Sequence, residues 1–406
     1  MNSESLDSKA RHYLNELCQK IPSRRVGSQG NRDATAFFKN VMDQFNFKVE
    51  TQPFQCLDMR QGEIKLSAGG RDFEAFISPY TLACDVGESL AVVSTIDELE
   101  AADVNGKILL LHGEIAKEQL MPKNFVFYNP DEHQHIYRLL EEKQPAAIIS
   151  ATSRNPELAG AVYPFPMFED GDFNIPTAYM TDIEGEKLAV FSGSQVSLKI
   201  DAERIPSTSE NISALKGDAA DKRIVVCAHI DAKPGSPGAV DNGGGSVVLM
   251  LLAELLGDYQ GEPAVEILAL NGEDYYSAGG QMEYLRRHQG RLGQIRLAIN
   301  LDGVGFIVHP TGLSFYDCPQ VFQQAALSTL GSYPGLQEMQ PWFQGDHMIF
   351  VMNGVPAMAL TTTGFMQMET EIAHTLKDKV DMIDTKLLVE TARFLFDTIT
   401  RINNSI

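Results

Sequence analysis

The sequence predicts an α/β protein: a mainly parallel (mixed) sheet flanked by helices, with a small β-rich domain inserted into it. Three observations predict this. From about residue 211 onward, apolar strand-like runs alternate with helical ones, the rhythm that places helices on both faces of a parallel sheet. Between residues 57 and 205 the texture differs, with short β-rich runs separated by turn residues. The chain has 406 residues, too many for one ordinary core, which suggests about two domains. The expected division is a discontinuous main domain, residues 1–56 and 206–406, around an insert at residues 57–205.

The elements follow in order. Residues 6–47 read mostly as helix, broken by a loop at 22–30; within 31–45, Ala36, Phe37, Val41 and Phe45 recur at helical spacing. Residues 47–56 alternate and read as a strand. In the insert, 64–67, 72–77, 89–93 and 107–111 read as short strands. A helix at 131–143 precedes an apolar run at 146–150. Residues 156–176, with several prolines, glycines and aromatics, read as loop, and 196–200 as a strand. The main domain then continues as strand 223–228, buried helix 246–256, strand 264–270, helix 278–288, strand 297–301, helix 321–330, strand 355–361 and closing helix 384–403. There is no internal repeat and no low-complexity tract.

Composition narrows the function classes. Apolar residues make up 44% and charged residues 21%, the profile of a soluble globular protein. No stretch reaches the roughly 18 apolar residues of a membrane span, so no membrane partner is expected. The net charge of −21 repels phosphate backbones, which argues against nucleic acid. The first ten residues are polar and carry no apolar signal core. Five cysteines, Cys18, Cys56, Cys84, Cys227 and Cys318, are odd in number and widely spaced, with no CxxC pair. Both features favour a reducing, cytoplasmic setting. Ser236 has no G-x-S-x-G elbow around it, which argues against a serine hydrolase. His133-Gln134-His135 reads as an ordinary surface loop or helix.

The residues that carry chemistry follow the predicted strands. In α/β sheets, ligands gather at the carboxyl ends of strands. After 223–228 come His229 and Asp231, then Asp241-Asn242 and three glycines at the mouth of the next helix. Glu273-Asp274 follows 264–270, and Asp302 follows 297–301. The loop after 355–361 ends in His374, with Asp378 and Asp381 behind it. Taken singly these are unremarkable: a His-x-Asp is usually a surface pair, an acid at a helix mouth an N-cap, adjacent acids a solvated turn. Their coincidence after buried strands is the signal. Imidazole and carboxylate suit zinc, a shared carboxylate can bridge two metals, and close carboxylates without cations raise one another's pKa.

These residues resemble peptidase family M28, the di-zinc aminopeptidases. The resemblance rests on HIDAKPGSPGAVDNGGGS (229–246), LNGEDYYSAGG (270–280), NLDGVG (300–305), GDHMIFVMNGVPAMAL (345–360), HTLKDKVDMID (374–384) and the opening RRVGSQGN (24–31). It implies a zinc-peptidase fold and two zinc ions, with cobalt or manganese suiting the same ligands. Asp241 bridges the metals; His229 and Asp302 complete one position, Asp274 and His374 the other. Glu273 is the general base. Asp231 orients His229, and the Asp241-Asn242 bond is often cis. The insert resembles the protease-associated (PA) domain of some members. The substrate implied is a peptide, cleaved at its amino end.

Three departures stand out. Asp274 replaces the usual Glu, Ala373 a common tyrosine, and Gly345 the usual Ser or Asp. Oxyanion help then falls to a metal or to Tyr275 or Tyr276. Tyr275, His347 and Phe365 are candidates for substrate contact, with Met366 and Met368 beside Phe365; a structural hydrogen bond at His347 and core packing at Phe365 are the alternatives. A carboxypeptidase on the same fold and a non-catalytic binding module are the alternatives. The sequence carries no signal for oligomeric state.

Overall fold

The computed structural model describes residues 3–21, 23–155, 159–217 and 222–403; of the expected loops, residues 22 and 156–158 lie outside the described residues. The chain forms two compact units, Met1–Cys56 with Thr208–Ile406, and Leu57–Ser207. The strands are β1 (Lys48–Ala68), β2 (Arg71–Phe73), β3 (Phe76–Ile77), β4 (Cys84–Val93), β5 (Ile108–Leu111), β6 (Ala147–Thr152), β7 (Thr177–Thr181), β8 (Gln195–Lys216), β9 (Arg223–His229), β10 (Ala264–Leu270), β11 (Ile295–Leu301), β12 (Thr311–Tyr316), β13 (Leu336–Glu338) and β14 (Ala357–Thr362). The long strands β1 and β8 each contribute one part to each unit.

In the first unit, four parallel strands lie in the order β10-β9-β11-β14. β8 closes one side antiparallel to β10, and β12 the other antiparallel to β14, with β13 parallel beyond it. The sheet is therefore mixed only at its margins. Strands β9, β10 and β14 are buried at every position. A strand covered on both faces must be apolar throughout rather than alternating, which is why these segments read as continuous hydrophobic runs. The helix Gly244–Leu255 is likewise buried from Gly244 to Glu254, the mark of a helix inside a core rather than on its surface. Thr385–Asn403 packs on it, with Leu388, Ala392, Leu395 and Ile399 in the same core.

Several elements depart from expectation. β12 and β13 went unpredicted: TGLSFY contains Gly312 and Ser314 and shows little period, and its burial comes from pairing with β14. The second unit is also more than a set of short strands. Its β4-β5-β6-β7 run is parallel, flanked by β8 antiparallel to β4 and β3 antiparallel to β7. Ile108 and Leu110 enter one core while Leu109 and Leu111 enter another on the opposite face, as the two-residue period of a strand requires. Helices Ile96–Ala101 and Asp131–Lys143 supply Leu99, Ile136 and Leu140 to one of these cores, and Asp182–Ala189 supplies Leu188 to the other.

Candidate metal centre

The carboxyl ends of the four central strands carry the chemistry. β9 ends in His229, followed by Asp231; the chain then turns through Ala239–Gly243, which holds Asp241. Glu273 and Asp274 follow β10, Asp302 follows β11 directly, and His374 lies beyond β14 and the helix Phe365–Glu371. Residues up to 145 positions apart in sequence are thus brought to one edge because their strands are neighbours.

Asp241 is the centre of the arrangement. Its Oδ1 lies 3.1 Å from His229 Nε2, and that nitrogen is 3.5 Å from Asp302 Oδ1. Its Oδ2 lies 3.2 Å from His374 Nε2, which is 3.3 Å from Asp274 Oδ1. Each oxygen of one carboxylate therefore meets a separate imidazole, and each imidazole meets a second acid. Donor atoms sharing a tetrahedral zinc at about 2.0–2.2 Å sit about 3.4 Å apart, a spacing that these imidazole–carboxylate pairs match. His229, Asp241 and Asp274 alone offer ligand atoms within 4.8 Å of one another.

The scaffold behind these groups is built from backbone hydrogen bonds. Asp378, fully buried, accepts from Val240 N at 2.6 Å and Asp241 N at 3.0 Å. Asn242 donates to Leu301 O at 2.7 Å and accepts from Gly245 N at 3.1 Å, which ties the turn to β11 and caps the helix behind it. Arg24, 2% exposed, donates to the carbonyls of Leu17, Ile230, Pro237 and Gly238 at 2.7–3.0 Å. Gly238 has φ +59, and a Cβ there would lie 2.7 Å from the Arg24 guanidinium; only glycine suits both demands. The Asp241-Asn242 bond is cis. His374 has φ +63, a costly conformation for a non-glycine residue that persists only where its surroundings hold it.

Burial and charge set the protonation states. Burial disfavours the charged form of His229, but the hydrogen-bonded carboxylates of Asp241 and Asp302 prevail and hold its pKa well above the usual imidazole value. His374 behaves alike, through Asp241 and Asp274. Burial acts against the Asp241 carboxylate too, yet its two imidazole partners hold it far below the usual range. Glu273 is pushed well above the ordinary carboxyl value, first by burial and then by Asp274, Asp302 and Asp346, with His229 opposing. A carboxyl lifted in this way holds a proton more tightly than an exposed one.

The remaining candidates are placed differently. Asp231 lies 3.7 Å from His229 Nδ1, beyond hydrogen-bond reach. Its oxygens instead accept from Gly272 N at 2.8 Å and Asp274 N at 3.1 Å, so it shapes the turn that presents Glu273 and Asp274. Tyr275 is 2% exposed and packs against Tyr276. His347 is fully buried, bonded to Trp342 O at 3.0 Å and wedged between the Tyr316 and Trp342 rings. That leaves it no surface for substrate, a correction to its expected role; burial lowers its pKa to about 4. Phe365 is part-buried with its ring 5.6 Å from Trp342. At Gly345, with φ +106, a Cβ would lie 3.1 Å from Asp302 Oδ2; a side chain here would crowd that acid. The roles of Asp378 and Arg24 went unread, because each acts on backbone far away in sequence. The one signal available was a charged residue inside a glycine- or histidine-bearing loop.

Residues 211–399 match Peptidase family M28. The chain is 24% identical over 323 residues to Aminopeptidase YwaD of Bacillus subtilis, covering 75% of this chain and 64% of that protein, a little under two thirds of its length. It is 24% identical over 379 residues to a probable leucine aminopeptidase 2 of Aspergillus oryzae, covering 86% of this chain and 71% of that one. The crystal structure of BSAP, a zinc aminopeptidase from Bacillus subtilis, aligns with a TM-score of 0.76 at 20% identity over 97% of this chain and 94% of that chain, a likeness of fold.

Proposed function

We propose, from the match of residues 211–399 to Peptidase family M28, that this protein is a zinc-dependent aminopeptidase that releases single residues from the amino end of peptides. One observation carries the reading: the two oxygens of Asp241 each face a different imidazole, and each imidazole faces a second acid. His229 and Asp302 would hold one zinc with Asp241, and Asp274 and His374 a second. When bound, the ions polarise a peptide carbonyl and acidify water. Glu273 takes a proton from water and returns it to the departing amine; its raised pKa and its place beside Asp274 support that role. Asp231 fixes the Glu273-Asp274 turn, and Asp378 the backbone of Asp241.

The unit Leu57–Ser207 has its own run of four parallel strands, β4 to β7, and two cores of its own. This supports reading it as an inserted module of the protease-associated type. No helix among the described residues is long and apolar enough to cross a membrane.

The test is mass spectrometry of peptides with free and blocked amino ends after incubation with zinc-loaded protein. Stepwise loss from free amino ends alone is expected. Loss from the carboxyl end would make it a carboxypeptidase. No cleavage with zinc bound would make it a binding module.

A further inference from the structure

The helix Phe365–Glu371 runs between β14 and His374. Its inward stripe is Phe365, Met368, Glu369 and Ile372, while Met366, Gln367, Thr370 and Glu371 are exposed. This is the i, i+3, i+4, i+7 spacing of a core-facing helix, and three of its four positions are apolar as that demands. The fourth is an acid. Its outward neighbour Glu371 bonds to Gln367 at 3.1 Å, an ordinary surface contact, whereas Glu369 makes no hydrogen bond or ion pair with the described residues.

The inward side of this helix faces the metal centre. A Cβ on Gly303, the residue after Asp302, would lie 2.9 Å from Met368 Sδ, so the residue beside Glu369 packs on the Asp302 loop. Ala373 N bonds to Met368 O at 2.9 Å, turning the chain directly into His374. Burial is the largest influence on the Glu369 carboxyl, pushing it up to about 7; His374 opposes the rise, and Asp241, Asp302 and Asp274 add to it. Glu369 thus stands in the field of four of the five candidate ligands while remaining partly open to solvent.

Every other acid of the site has a partner or a task. Asp241, Asp274 and Asp302 face imidazoles. Asp231 and Asp378 accept backbone N–H groups. Asp346 accepts from Gln281 at 2.9 Å, and Glu273 is assigned to proton transfer. A part-buried carboxylate without a partner is costly, and the cost is met when a cation arrives from solvent.

We propose that Glu369 binds the free α-ammonium group of the substrate's first residue and so confines the site to unblocked amino ends, an inference that rests on the aminopeptidase reading above. An ammonium offers three donors and no acceptor, which suits an acceptor-only carboxylate, and charge-assisted bonds of this kind are both short and strong. Phe365 and Trp342 form an apolar wall on the same side of the helix, where the first side chain would lie once its amine is held. Glu369 is on this account a positioning residue for the substrate, and the metals and Glu273 carry out the bond cleavage.

Two probes separate this role from a structural or metal-binding one: L-leucine hydroxamate and isocaproic hydroxamate, which differ only by the amine. Calorimetry on the zinc-loaded full chain should show the amine-bearing probe binding about 10- to 100-fold more tightly, the range one charge-assisted hydrogen bond gives. In Glu369→Gln the two probes should bind equally, with zinc content and melting temperature unchanged, and peptide cleavage should show a raised KM with kcat little altered. Glu369→Asp should restore part of the preference. If Glu369→Gln keeps the preference while the unaltered protein trims free amino ends, the amine is held elsewhere and only the Glu369 assignment falls. Loss of zinc in Glu369→Gln would make it a metal ligand and overturn the proposal. If the unaltered protein binds both probes equally and trims no amino end, the aminopeptidase reading falls and the Glu369 role with it.

Discussion

Both units of this protein are built on four adjacent parallel strands, yet only one of them presents reactive groups at the strand ends. In the unit Leu57–Ser207, the polar residues after the strands are satisfied on the spot. Ser94, after β4, donates through both N and Oγ to Glu98 at 2.7 and 2.8 Å, while Thr95 Oγ accepts from Glu98 N at 3.2 Å, a reciprocal helix cap. Thr152, at the end of β6, exchanges hydrogen bonds with the backbone of Phe165. Thr181, at the end of β7, caps the next helix through Glu184 N. In the other unit, His229, Asp241, Asp274, Asp302 and His374 face one another instead. The backbone around them is satisfied by separate residues, Asp231, Asn242 and Asp378. The same architecture serves packing in one place and gathers potential ligands in the other; the difference lies in whether strand-end side chains are consumed by local caps or freed from them.

The largest way to break this contrast is at its centre. Asp241→Ala removes the shared carboxylate, and we expect turnover at background together with loss of bound zinc, measured by metal analysis; retained zinc would remove Asp241 from the centre. Glu273→Gln should keep zinc but lower kcat by about 10²–10⁴-fold, the usual contribution of a general base, and full turnover in this variant would refute the proposed proton transfer. Asp378→Asn leaves one acceptor for two N–H groups and should weaken zinc binding by about 10- to 100-fold, as loss of a group supporting a ligand does. Titration with a competing chelator measures it, and unchanged affinity would reduce Asp378 to a folding role. The smallest effect belongs to the other unit: Thr95→Ala should cost about 1 kcal/mol of stability, the worth of an N-cap, with peptidase activity untouched. A loss of activity there would show that the two sets of strand ends are not independent.

Much of the site follows from one property of the chain. Strands buried on both faces are apolar along most of their length, so β9, β10 and β14 stand out in the sequence, and so do the histidines and acids placed just after them. The helix Phe365–Glu371 shows where that approach fails: Glu369 interrupts an apolar stripe, a signal present in the sequence but visible only once the segment is known to be helical. β12 was missed for the opposite reason, since TGLSFY carries little pattern and acquires its burial from β14.

By itself, then, the sequence determined the alternation of strand and helix, the parallel core of the sheet and the set of candidate ligands, because burial on two faces and placement after a strand are local properties that composition records. The tertiary structure alone decided how those residues are used. Asp378 reaches Asp241 across 137 positions and Arg24 reaches Gly238 across 214, Asp231 turns from His229 to the backbone of residues 272 and 274, and His347 is drawn inside between two rings. Hydrogen bonds of such span depend on which strands become neighbours, and strand order is set by the packing of the whole sheet rather than by any segment of the chain.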